Sequence, residues 1–224
     1  MTITVNGVTL FYEKSGTGKP IVLLHGNGEN HTIFREFTAQ LSKHYTVYAL
    51  DSRCHGHSEK TKQLTYHLMA EDTRCLIEQL GLKKPIVYGY SDGGIIGLLL
   101  AIQYPDLLSR LIISGANLTP SGMGKRFVRH CKLVHFFTRS KLWRLMAYEP
   151  NIDVAELSQI KIPVLVLAGE HDLILEEHTR MIASHIPNSV LKILPGEDHG
   201  SYVVHSEKLY EVVRKFLPEC GPRT

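Results

Sequence analysis

The chain has 224 residues, 43% of them hydrophobic, and its 25 basic and 22 acidic side chains leave a formal net charge of +3. That length allows one α/β domain to bury most of its unfolded surface. It contains no apolar run of the roughly 18 residues that a membrane-spanning helix needs. The opening stretch MTITVNGVTLFYEK lacks the basic and apolar regions of an export signal, so the cytoplasm is the expected compartment. Cys54, Cys75, Cys131 and Cys220 are widely spaced with no C-x-x-C pair, a pattern of separate reduced thiols rather than disulfides. No zinc-binding spacing occurs among the histidines, and His55 and His57 read as parts of a glycine-containing loop rather than as metal ligands.

In chain order, Thr2–Val5 and Val8–Tyr12 alternate across Asn6-Gly7, which predicts a hairpin with a type I′ turn. Pro20–Leu24 is wholly apolar, as suits a strand covered on both faces. It runs into His25-Gly26-Asn27-Gly28. A helix is predicted over 33–41, a strand over 45–50, a helix over 64–80 ended by Gly81, and a strand over 85–90. A helix over 95–104 stops at Pro105. Strands follow over 111–114, 163–168 and 190–194, with helices over 176–185 and 201–217. Strands alternating with helices imply a mostly parallel sheet with helices on both faces. Residues 117–159 break the alternation and read as a short helical cap inserted within a single domain, 1–224. Such an insertion would lie over the carboxyl ends of the strands, where open α/β sheets bind ligands.

The chemistry concentrates at strand ends. Gly89-Tyr90-Ser91-Asp92-Gly93 fits G-x-S-x-G, a sharp strand-to-helix turn that lifts a serine hydroxyl clear of the sheet. Ser91 is therefore the candidate nucleophile. The N–H of Asp92 at the following helix start is one candidate oxyanion donor. A serine needs a base, and His199 in Pro195-Gly196-Glu197-Asp198-His199-Gly200 follows a strand directly. The base needs a carboxylate to fix its tautomer. Asp172 in Gly169-Glu170-His171-Asp172 is the candidate, with Glu170 as the spare. The second oxyanion donor is expected from the N–H of Asn27, and His25 beside it reads as a packing residue. The Asp92 carboxylate, next to the nucleophile, is open to two readings: solvation or a local cap bond, and attraction of a substrate ammonium.

The segments HGNG (25–28), DSRCHGHS (51–58), GYSDGG (89–94), GEHD (169–172) and DHG (198–200) together resemble the α/β-hydrolase-fold serine hydrolases, in the broad esterase, C–C-hydrolase and haloperoxidase-like group. The resemblance runs from Val8 to Leu217. It implies an α/β fold with an eight-stranded, mostly parallel sheet flanked by helices, the order Ser…Asp…His, and no cofactor. The chain departs from the group in two ways. Cys54 stands where the family loop D-x-R-G-x-G-x-S has its first glycine, and the cap is short for the group, which implies an open or partly formed acyl pocket. A serine nucleophile disfavours the dehalogenase and epoxide-hydrolase branches, which use aspartate. The expected activity is cleavage of a small or medium carboxylic ester through an acyl-enzyme. The alternatives are C–C bond hydrolysis of a diketone-like substrate and a non-catalytic ligand-binding protein of the same fold.

From Leu107 to Tyr148 there are eight Lys/Arg and no Asp or Glu. Within it, Phe127, Cys131 and Val134 fall at helical spacing, which predicts an amphipathic cap helix with its apolar side inward and its basic side in water. A second reading is attraction of anionic substrates or lipid head groups. The block carries no motif for reading nucleic acid, so no such partner is expected.

Overall fold

A computed structural model describes residues 1–218. Cys220 lies outside the described residues. Eight strands form one sheet: β1 (Thr2–Val5), β2 (Val8–Ser15), β3 (Lys19–Leu24), β4 (Tyr45–Asp51), β5 (Ile86–Tyr90), β6 (Arg110–Ser114), β7 (Val164–His171) and β8 (Ser189–Asp198). Their spatial order is β1-β2-β4-β3-β5-β6-β7-β8. β1, β2 and β4 pair antiparallel, and every later pairing is parallel. The first hairpin turns on Asn6 (φ 47°) and Gly7 (φ 71°), the positive φ pair of a type I′ turn.

Among the described residues seven α-helices accompany the sheet: α1 (Arg35–Leu41), α2 (Tyr66–Gln79), α3 (Asp92–Gln103), α4 (Lys125–Thr138), α5 (Lys141–Tyr148), α6 (Glu176–His185) and α7 (Lys208–Val213). The alternation of side chains along each strand divides the core in two. Val22, Leu24, Val87 and Ile113 face a cluster with Met69, Ile95, Leu98 and Ile182, from α2, α3 and α6. Ile21, Leu23, Tyr88 and Ile112 face the opposite cluster with Phe37, Leu41, Leu209 and Val213, from α1 and α7. α3 is apolar all round because it lies buried along nearly its whole length. α2 is capped by Thr65, whose hydroxyl accepts the Leu68 N–H at 3.1 Å.

Several boundaries differ from expectation: β2 runs on to Ser15, β7 runs on to His171 and α3 begins already at Asp92. The helix expected over 33–41 opens as a 3₁₀ turn, His31–Phe34, capped by Asn30. The strand expected over 190–194 continues to Asp198, because beyond an irregularity at Gly169 and His171 the chain pairs again, His171 with Asp198. The last helix, expected over 201–217, is only Lys208–Val213. The His205 N–H is taken by the Ile33 carbonyl at 2.9 Å and His205 has φ 49°, so the helical ladder cannot pass through it. Residues 117–159 contain no strand. They hold 3₁₀ turns at Pro120–Met123 and Val154–Gln159, with α4 and α5 between them.

Candidate active site

β5 delivers Ser91 into the turn before α3. Its backbone sits at φ 52°, ψ −114°, a region costing on the order of 1–3 kcal/mol for a residue with a Cβ. Its N–H donates to the Ser114 carbonyl at 2.8 Å. The flanking glycines are explained by contact. A Cβ on Gly89 would lie 2.1 Å from the Gly93 carbonyl oxygen, and one on Gly93 would lie 2.1 Å from the Leu24 carbonyl oxygen. No side chain fits either place, so the spacing of glycines around Ser91 follows from backbone passing backbone.

The loop after β8 brings His199 to this turn. Asp198 shapes that loop, its Oδ1 accepting the N–H groups of Gly200 (2.9 Å) and Ser201 (2.8 Å). These bonds hold its carboxyl below the ordinary range. His199 Nδ1–H donates to Asp172 Oδ1 at 2.6 Å, and Ser91 Oγ–H donates to His199 Nε2 at 3.1 Å. Asp172 is fixed in turn by the N–H groups of Ile174 (2.9 Å) and Gly169 (3.1 Å). The Asp172 side chain is 2% exposed and that of His199 is 20% exposed. The carboxylate is thus sealed from water while the imidazole remains reachable. Glu170, the spare acid, accepts the Gly196 N–H at 2.8 Å and so serves the β7–β8 edge.

The residues of the two candidate oxyanion donors are tied to each other. Asn27 Nδ2 donates to Asp92 Oδ2 at 2.9 Å, and Tyr66 Oη–H donates to Asp92 Oδ1 at 2.6 Å. Asp92 is 3% exposed, so its carboxylate is neither solvated nor a cap for its own helix; the fold engages both oxygens. Burial pushes its pKa up, against the pull of the Tyr66 and Asn27 hydrogen bonds. The Asp92 N–H, in the first turn of α3, has no intrahelical acceptor. His25 is buried, as expected. Its Nδ1–H donates to the Gly26 carbonyl (2.8 Å) and its Nε2 accepts the Ser52 N–H (3.0 Å). Burial pulls its pKa down to about 4.

Four participants were not anticipated from sequence. Gly115, just past β6 at φ +60°, leaves room for His199: a Cβ there would lie 2.6 Å from His199 Cε1. Tyr66 reaches the site from the distant α2. Glu29 accepts the Gly26 N–H at 3.1 Å, and burial raises its pKa. Leu142, in the first turn of α5, offers its carbonyl to Asn27 Nδ2 at 3.4 Å. The glycine after a strand was visible in SGAN, but what packs on it was not. In the loop 53–58 the two histidines face different partners. His55 Nδ1 bonds the Arg53 carbonyl (2.9 Å), while the His57 ring packs on Phe11 (4.9 Å). Among the described residues no group of three or more His, Cys, Asp or Glu is placed to hold a metal ion. Cys54 takes φ 66°, so it occupies the left-handed conformation suited to the glycine it replaces.

The alpha/beta hydrolase fold family matches residues 19–132. The human serine hydrolase BPHL is 28% identical over 96% of this chain and 85% of its own length. A putative esterase/lipase of Haemophilus influenzae is 31% identical over 88% of this chain and 82% of its own length. The solved esterase EaEST from Exiguobacterium antarcticum superposes with a TM-score of 0.84 at 23% identity, covering 96% of this chain and 98% of that one. The chain therefore belongs to the α/β-hydrolase-fold family of serine hydrolases and esterases.

Proposed function

We propose that the protein hydrolyses small or medium carboxylic esters, with Ser91 as nucleophile, His199 as general base and acid, and Asp172 as the carboxylate that orients His199. The observation carrying this reading is the unbroken line Ser91 Oγ–His199 Nε2 (3.1 Å) and His199 Nδ1–Asp172 Oδ1 (2.6 Å). As Ser91 Oγ attacks the ester carbonyl, its proton passes to His199 Nε2, and the N–H groups of Asn27 and Asp92 hold the oxyanion. Collapse expels the alkoxide, which takes that proton and leaves as the alcohol. Water, deprotonated by His199, then attacks the acyl-enzyme and releases the acid and Ser91. Each oxyanion donor of this kind is worth about 3 kcal/mol. Residues 117–159 act as a cap over the site, a reading supported by the Asn27–Leu142 contact (3.4 Å).

The test is a panel of p-nitrophenyl esters of rising acyl length, with a 1,5-diketone as comparison. Ester turnover that depends on both Ser91 and His199 supports the proposal. Diketone cleavage without ester turnover would transfer the same groups to C–C bond hydrolysis, and no turnover of either would favour a binding protein.

A further inference from the structure

The inner side of α4 is as the sequence suggests: Cys131 is buried, and Phe127 and Val134 are half-buried. The outer side holds more than charge. Lys125, Arg126, Arg129 and Lys132 project along its first two turns, all exposed. The last turns carry Leu133 (56% exposed), Phe136 (61%) and Phe137 (74%), with Tyr148 of α5 (48%) beside them. Four of the seven large exposed apolar side chains among the described residues therefore share one patch. The Phe136 and Phe137 rings pack edge to face at 5.3 Å. Arg139 lies over Phe136 at 5.6 Å and Lys132 over Tyr148 at 5.4 Å. α4 packs on α5 and on the turn Pro120–Met123, and its outer face borders an open groove of about 1000 Å³.

We propose that this outer face of α4 docks on an anionic lipid bilayer, with Leu133, Phe136 and Phe137 entering the head-group boundary and the four cations lying on the charged surface. Charge complementarity selects the partner. No acidic side chain occurs from Leu107 to Tyr148, so the patch attracts a negative surface and repels a second copy of itself. The segregation of charge and apolar side chains distinguishes a bilayer from a nucleic acid. Lys125, Arg126, Arg129 and Lys132 occupy the first two turns of the helix and Leu133, Phe136 and Phe137 the last, with Arg139 just beyond them, and the two phenylalanine rings stand edge to face instead of offering parallel faces to bases. A helix of 14 residues spans about 21 Å, long enough for one end to insert while the other tracks phosphates.

The experiment is flotation of the full chain with phosphatidylcholine vesicles, with and without phosphatidylserine, at low and high salt. Binding is expected only to the phosphatidylserine vesicles and is expected to fade at high salt. Phe136→Ser with Phe137→Ser should weaken it at least tenfold, since each exposed ring gives up most of its transfer free energy. Lys125→Glu with Arg129→Glu should abolish the preference for phosphatidylserine. These side chains are at the surface, so the melting temperature checks that each variant is folded. Equal binding to both vesicle types, no binding to either, or binding untouched by the paired substitutions overturns the proposal. So does a single-stranded oligonucleotide binding where the vesicles do not, or a dimer that Phe136→Ser disperses.

Discussion

Gly115→Ala perturbs the site without replacing any of the groups proposed to react. The new Cβ would lie 2.6 Å from His199 Cε1 and 2.8 Å from His199 Nδ1. Carbon atoms in contact sit about 3.5–4.0 Å apart, so the imidazole must move by about 1 Å. It then cannot keep both its 2.6 Å bond to Asp172 and its 3.1 Å bond to Ser91. A displacement of that size costs roughly 100-fold in rate, equivalent to about 2.7 kcal/mol of barrier. Alanine at φ +60° also costs about 1–2 kcal/mol of stability, which must be separated from the effect on rate. Gly81→Ala is the control, since Gly81 has φ +64° and nothing within 4 Å of its missing Cβ. Both variants should lose similar thermal stability. Only Gly115→Ala should lose kcat on p-nitrophenyl acetate, with KM changing little. If Gly115→Ala is as active as Gly81→Ala, the placement of His199 described above is wrong.

Three further outcomes follow from particular contacts. His25 is held neutral, with a pKa of about 4 against 6.5 for a free imidazole. The unfolded chain therefore binds its proton first as pH falls, so stability is lost between pH 6.5 and 4 by about 3 kcal/mol. Denaturant melts of His25→Gln should show a flatter pH slope over that window, and an unchanged slope would place the titration elsewhere. Tyr66→Phe removes the donor to Asp92 Oδ1 (2.6 Å) and should cost about 1–3 kcal/mol by leaving a buried carboxylate oxygen unpaired; kcat should fall with it, because Asp92 also holds Asn27. An unaltered melting temperature would remove that contact from the account. Cys54→Gly relieves a φ of 66° for the loss of weak sulfur contacts to Thr61. It should raise stability by up to about 1 kcal/mol, and a clearly lower melting temperature would show that the Thr61 contacts outweigh the strain.

The strands were legible, and the three candidate side chains could be nominated, because their signals are local. Pro20–Leu24 and Val164–Ala168 are apolar runs, and Ser91, Asp172 and His199 each stand at or just past a strand's carboxyl end, where parallel connection brings such ends to one rim. The last helix was misjudged because Val204, Leu209 and Val213 keep helical spacing although the chain between them turns. What interrupts it is a carbonyl from Ile33, far away in sequence. Tyr66 and Gly115 were missed for the same reason. Nothing near Tyr66 in the chain shows that its hydroxyl meets Asp92, and nothing near Gly115 shows that an imidazole lies against it. The outer face of α4 was legible as charge but not as an apolar patch. The periodicity marks Phe127, Cys131 and Val134 as inward, but it does not reveal that Leu133, Phe136 and Phe137 find no cover.

The most direct test is intact-mass analysis after treatment with a fluorophosphonate, with wild type and Ser91→Ala side by side. One adduct per chain, mapped to the peptide containing Ser91 and absent from the variant, is the predicted result. An unlabelled wild type, or a label that survives Ser91→Ala, would contradict the claim that the turn at Gly89–Gly93 presents an activated nucleophile.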